Sequence, residues 1–109
     1  MILFFDTETT GLRPGQICQL SYVMQSGESL TARNLFFTVD YMEKSAELVH
    51  GFSLEKLAHL SGGKRFCDYV DIIEKDFSSA DLVIAHNTSF DFSFMRAEFE
   101  KLNKIFSVK

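Results

Sequence analysis

The chain has no tryptophan, a single proline and two cysteines in 109 residues, and its 11 basic residues are outnumbered by 15 acidic ones. The resulting net charge of −4 excludes a protein that grips nucleic acid through a broadly basic surface. It leaves room for an enzyme that holds one chain end through metal ions, because these bring positive charge locally. Cys18 and Cys67 stand apart, with neither a C-x-x-C pair nor zinc spacing, and read as buried free thiols of a reducing compartment. No apolar run approaches the ~20 residues of a membrane helix. No leader-like segment precedes the first strand, so the expectation is a soluble, cytoplasmic chain without a membrane partner. Nothing resembles an internal repeat, a low-complexity tract or a linker, and the length supports one domain, residues 1–109.

What is abundant is apolar volume, including twelve phenylalanines. Met1 to Phe5 reads as a fully buried strand. A turn-rich stretch, Thr9 to Gly15, follows and contains the proline. Ile17 to Gln25 and Leu30 to Val39 read as two further strands joined by a hairpin turn at Gly27-Glu28-Ser29. Short links between three successive strands predict an antiparallel meander. Ser45 to Val49 makes a short helix halted by Gly51, and Ser53 caps a second that runs to about Leu60 before Gly62-Gly63. Phe66, Tyr69, Val70, Ile73 and Phe77 carry the helical period. Leu82 to Ala85 is a short buried strand. Ser89 is expected to cap a last helix with an apolar stripe at Phe92, Met95, Phe99, Leu102 and Phe106, and with Lys101, Lys104 and Lys109 on a solvated face. This order predicts an α/β layer fold with a mixed sheet, the last strand arriving by a helical crossover and lying parallel to the first.

The chemistry concentrates in two segments. In MILFFDTETTGL, Asp6 and Glu8 lie two residues apart in an extended run, so their carboxylates share a face. Paired like charges at the end of an apolar strand are costly unless a cation lies between them. A hard, oxygen-seeking ion such as Mg²⁺ or Mn²⁺ suits them. The second segment, AHNTSFDF, delivers Asp91 into the first turn of a helix directly after a strand. If the two strands are parallel neighbours, three carboxylates meet at their carboxyl ends, where open α/β sheets place their sites. Three such groups could hold two divalent ions for in-line phosphodiester cleavage. Read alone, Asp91 is a first-turn acid favoured by the helix dipole. His50 reads alone as a helix-terminal histidine before a capping glycine. His86 reads as a turn residue or a phosphate contact.

FDTETTGL and AHNTSFDFSFMRAEF resemble the first two signature motifs of the DEDD (DEDDh-type) 3′–5′ exonucleases. That family includes the epsilon proofreading subunit of bacterial replicative DNA polymerase, ribonuclease T and oligoribonuclease. The resemblance runs from about Met1 to Leu102 and extends to the turn at His50-Gly51. It implies a ribonuclease H-like fold: three antiparallel strands plus one parallel strand, with flanking helices. It also implies a catalytic, metal-binding set of Asp6, Glu8 and Asp91. Asp6 would bridge two Mg²⁺ or Mn²⁺ ions, Glu8 would serve the nucleophile side and Asp91 the other. Thr9, Thr10, Gly11 and Leu12 would surround the 3′-terminal nucleotide of single-stranded DNA or RNA, Leu12 as a wedge, with His50 and Asn87 near the bound strand. A polymerase subunit is the implied protein partner.

The family's third motif, a general-base histidine and a fourth metal aspartate, has no counterpart here. The domain is therefore expected to be C-terminally truncated, its two-metal site incomplete, its own activity weak or absent, and its open sheet edge prone to self-association. The competing expectation is a degenerate, non-catalytic exonuclease fold that binds nucleic acid or a polymerase.

Overall fold

The computed structural model describes residues 1–12 and 15–108. Pro14, within the expected turn, and Lys109 lie outside the described residues. In chain order the elements are β1 (Ile2–Thr9), β2 (Ile17–Ser26), β3 (Ser29–Phe36), α1 (Lys44–His50), α2 (Leu54–Ser61), α3 (Phe66–Ser78), β4 (Leu82–Ala85) and α4 (Thr88–Lys101). The four strands form one sheet in the order β3-β2-β1-β4. The first three are an antiparallel meander, and Ser26 pairs with Ser29 across a turn in which Gly27 adopts φ +60°. The crossover through the helices brings β4 parallel to β1, with Ile2 opposite Leu82 and Phe5 opposite Ala85.

One face of this sheet carries the core. Leu3 and Phe5 of β1, Leu20 and Tyr22 of β2 and Val83 of β4 pack with Val70, Ile73 and Phe77 of α3 and with Phe94, Met95 and Phe99 of α4. The aromatic residues meet edge to face, Phe77 lying 5.2 Å from the rings of both Phe5 and Tyr22. The other face is open: Phe4 and Ile84 are each 40% exposed and Leu82 is 46% exposed. A groove of about 610 Å³ runs over it to Asp6 and His86. The expectation that β1 and β4 are fully buried is thereby corrected. An apolar run is compatible with burial on both faces, but α3 and α4 cover one face, and the smaller cluster of Leu57 with Phe36 and Phe52 lies at the β3 side, leaving Phe4, Leu82 and Ile84 open.

The helices also depart from expectation in detail. α4 begins after Asn87, not at Ser89; of the expected stripe Met95 and Phe99 are buried and Phe92, Leu102 and Phe106 pack against the same core, while Asp91, Phe94 and Glu98 are buried as well. It ends at Lys101, after which Asn103 takes φ 58° and returns Phe106 against Phe77 and Phe99. Lys101 and Lys104 therefore do not share a helix face: Lys101 reaches Glu98 on α4, whereas Lys104 pairs with Glu74 on α3. β3 stops at Phe36, three residues before the expected Val39. Ser53 does cap α2, accepting the Lys56 amide at 3.1 Å, and Gly51 closes α1 at φ 78°.

Two buried acids on the helices do structural work that periodicity does not reveal. A bulge after Glu8 breaks the β1–β2 ladder, and the Ile17 amide donates to Glu98 at 2.9 Å. Asp76 accepts from the Tyr22 hydroxyl at 2.6 Å and from Arg33 Nε at 2.7 Å. Burial, reinforced by Asp76, holds that phenol protonated well above its usual range.

The two cysteines differ sharply. Cys18 is fully buried at the bulge, and burial together with the nearby Glu8 charge pushes its thiol up to about 12. Cys67 is exposed on α3, so the expectation of two buried thiols holds for Cys18 alone. A disulfide-exchange reagent at pH 8 is expected to label one thiol per native chain rapidly and the second only after denaturation. Two fast thiols in the folded protein would contradict this environment.

Candidate active site

β1 runs on through Thr9, so its alternation sorts the acidic motif by face. Asp6 and Glu8 project with Phe4 on the open side, while Thr7 projects with Leu3 and Phe5 toward the helices. Asp6 is exposed and Glu8 half-buried. The His86 amide donates to the Phe5 carbonyl at 3.0 Å, which sets the end of β4 beside Asp6. Partial burial raises the Glu8 carboxyl above its ordinary value, and the Asp6 and Asp91 charges add to this. His50 and His86 act in the opposite sense. The two aspartates and both histidines thus lie within electrostatic range of Glu8.

Asp91 reaches the same region from below the sheet. Phe92 packs edge to face on Phe5 at 5.4 Å, which lays the first turn of α4 over β1. Asp91 is 1% exposed. One of its carboxylate oxygens accepts the Thr7 hydroxyl at 2.6 Å and the other accepts the Asn87 amide at 2.8 Å. Charge-assisted bonds of this type contribute roughly 1.5–3 kcal/mol each, which allows the carboxylate to sit where water does not reach it. Asn87, expected beside the substrate, is exposed at the N-cap of α4, and its backbone is spent on this aspartate.

The segment after the acids is a braced loop. Thr9 and Thr10 are buried, and their hydroxyls are used internally: Thr9 donates to the Gly11 carbonyl at 2.7 Å, and Thr10 accepts the Gln16 amide at 3.3 Å. The Glu43 amide donates to the Thr10 carbonyl at 3.0 Å, tying the loop to the start of α1. His50 fastens the other end of α1. The Phe52 amide donates to His50 Nδ1 at 3.1 Å, so the ring proton resides on Nε2 and is donated to the Thr9 carbonyl at 2.9 Å. Leu12 emerges from this brace 83% exposed.

Between the loop, α1 and Phe90 lies a cleft of about 340 Å³ that Glu8 and His50 also line. Leu12, Ala46, Val49 and Phe90 give it apolar walls, with Val49 also 83% exposed. Thr7, Ala46, Val49 and Phe90 are the contributors that motif reading passed over. For Thr7 a signal existed, since the middle residue of D-x-E must face away from the carboxylates.

The donors offered by Asp6 and Glu8 are all oxygen, the ligand type that suits a hard divalent cation. Among the described residues no group of three or more His, Cys, Asp or Glu side chains is gathered tightly enough to hold a metal ion. No helix among the described residues is long and apolar enough to cross a membrane.

No protein-family model matches the chain. Two curated relatives do, DNA polymerase III subunit epsilon from Rickettsia felis and from Rickettsia conorii. Each is 32% identical over 108 residues, an alignment covering 94% of this chain and 45% of the relative. The chain thus spans less than half the length of these relatives. Among solved structures it is similar to exonuclease I from Methylocaldum szegediense, with a TM-score of 0.78 and 20% identity over 93% of this chain and 24% of that one. It is likewise similar to E. coli exonuclease I in complex with a dT13 oligonucleotide, with a TM-score of 0.83 and 19% identity over 95% of this chain and 24% of that one.

Proposed function

We propose, from the premise that this chain resembles the DEDD 3′–5′ exonucleases in both fold and sequence, that it is a metal-dependent exonuclease domain. It would release nucleoside monophosphates from a DNA 3′ end in proofreading or repair. The observation that carries this reading is the placement of Asp6 and Glu8 on one strand face, with Glu8 lining a cleft of about 340 Å³ that Leu12 rims. The likeness to the epsilon subunit favours DNA and a polymerase partner, and the oligonucleotide bound by E. coli exonuclease I favours a single strand.

Asp6 and Glu8 would hold Mg²⁺ or Mn²⁺, with Asp91 as the third carboxylate. When bound, such ions supply an activated water and neutralise charge on the leaving oxygen. The chain's own residues do the rest. Leu12 and Val49 offer apolar surface to the terminal base, and the braced Thr9–Thr10 backbone fixes where that surface stands. His50 has both ring nitrogens engaged and is a poor proton acceptor for an attacking water. The third motif of the family has no counterpart in the sequence, so hydrolysis by this chain is expected to be slow.

A non-catalytic nucleic-acid or polymerase-binding module is the second reading, favoured by the full engagement of Asp91 with protein donors. A 5′-labelled single-stranded DNA incubated with the chain and Mn²⁺ separates the two. The exonuclease reading expects shortening from the 3′ end that a chelator stops and that exceeds shortening of the matching RNA. An unchanged or internally cut strand would reject it.

A further inference from the structure

We infer that Glu98 is a positioning residue for the cleft: its buried carboxylate on α4 fixes the point where the chain re-enters the sheet at β2, and so sets the Thr9–Leu12 stretch that walls the cleft beside Glu8. This deepens the proposed function and rests on its reading of the cleft as the seat of the 3′-terminal nucleotide. It requires nothing of the metal ligands.

The ladder between β1 and β2 changes register at one place. Glu8 faces Gln19 but Thr9 faces Ile17, so Cys18 is the extra residue of a bulge directly beside Glu8. At this bulge the Ile17 amide donates to Glu98 Oε2 at 2.9 Å. Glu98 is 6% exposed, so water is poorly placed to take over if the carboxylate is lost. Its second oxygen accepts Lys101 Nζ at 3.3 Å, and Lys101 in turn donates to the Gly15 carbonyl at 2.6 Å. Two residues on one face of α4 thus hold the backbone on both sides of Gln16. Gln16 passes that position on. Its carbonyl accepts the Thr10 amide at 3.0 Å, and its own amide donates to the Thr10 hydroxyl at 3.3 Å. Its side chain accepts the Asp40 amide at 2.7 Å and donates to the Asp40 carboxylate at 3.2 Å. Thr10 leads directly to Gly11 and Leu12, which line the cleft with Glu8 and Thr9. Without Glu98 the bulge loses its acceptor and relaxes, and the apolar wall must be ordered anew each time a nucleotide binds. That ordering is subtracted from affinity.

The test is fluorescence anisotropy of a 5′-labelled dT oligonucleotide titrated with the full chain and its variants, with Ca²⁺ supplied in place of Mn²⁺. Circular dichroism establishes that each variant is folded under the conditions used, and melting curves are recorded for all. Glu98→Ala is expected to weaken binding roughly 3–10-fold. Glu98→Gln keeps an oxygen for the Ile17 amide and should bind within about threefold of the parent, a rescue through the hydrogen bond itself. Phe77→Leu loosens the core away from the cleft and should bind like the parent even where its melting temperature falls as far as that of Glu98→Ala. If Glu98→Ala does not fold, Lys101→Met takes its place: this side chain is 49% exposed, and its loss should weaken binding about threefold at an unchanged melting temperature. Leu12→Ala is the control on the underlying reading. Parent-like binding by Glu98→Ala or its substitute, or equal weakening by Phe77→Leu, alongside weakened binding by Leu12→Ala, overturns the role of Glu98 alone. A parent that does not bind, or Leu12→Ala binding like the parent, overturns the cleft reading and the role of Glu98 together.

Discussion

Replacing Asp6 with alanine is expected to lower Mn²⁺ affinity, and any 3′-end shortening the chain supports, by at least about a hundredfold, or ~2.7 kcal/mol. Asp6 is the exposed member of the carboxylate pair, placed by the parallel register at the junction of β1 and β4. Its removal takes away one of two acids on the open face while leaving the core side of β1 untouched. The same change should make the metal-free fold slightly more stable, because Asp6 is one of the charges that raise the Glu8 carboxyl.

The sign of that linkage follows from the direction of the shift. A carboxyl whose folded value is raised contributes stability that is fully present below its ordinary value of 4.5 and is lost as pH rises through the raised one. The metal-free protein should therefore lose some stability just above pH 4.5, and divalent ions should restore it. At a Mn²⁺ concentration a hundred times its dissociation constant, mass action stabilises the folded state by about 2.7 kcal/mol. For a domain of this size that corresponds to roughly 10–20 °C in melting temperature. Melting curves with and without Mn²⁺ read both effects, and Asp6→Ala should abolish most of the metal-induced rise. An equal rise in parent and variant would place the ion elsewhere.

The second large effect is structural. Phe77→Ala is expected to destabilise the fold by about 3–5 kcal/mol. Phe77 is 1% exposed and sits where α3 meets the sheet, in ring contact with Phe5, Tyr22 and Phe106 at 5.2, 5.2 and 5.6 Å. Truncation would remove three edge-to-face contacts and leave a cavity whose walls, two strands and the returning chain end, are poorly placed to collapse. Small domains have about 5–15 kcal/mol in total, so the variant should be largely unfolded near physiological temperature. Urea denaturation followed by circular dichroism measures it. A loss below about 1 kcal/mol would mean the three-ring junction is not the centre of the core.

Much of this architecture could be read from the residues because the relevant signals are local. The spacing of Phe66, Val70, Ile73 and Phe77 defines the inner face of α3, and all four are buried. The hairpin and the crossover together dictate that β4 lies parallel to β1 and next to it. Other features depend on what arrives from far along the chain. Ile2–Thr9 has the same composition whether one or two layers cover it, so the exposure of Phe4 was not legible. The start of α4 at Asn87 instead of Ser89 reflects the Asp91 carboxylate taking the Asn87 amide, a contact decided by where β1 stands. Glu98 on an otherwise apolar stripe is explained only by the Ile17 amide that meets it at the bulge.

Within the candidate site the same division holds. Asp6 and Glu8 share a face for a reason of strand geometry alone. That Thr9 and Thr10 turn their hydroxyls inward and that His50 braces the Thr9 carbonyl are tertiary facts that the motif alone does not reveal. Thr7 was hidden because it lies between two more conspicuous residues.

The most direct test is a crystal of the chain grown with Mn²⁺ and examined by anomalous scattering at the manganese edge. The account predicts a strong peak coordinated by Asp6 and Glu8 at the end of β1, with Asp91 contributing from the start of α4. Peaks confined to other acidic residues, with the Asp6–Glu8 face bare, would contradict it.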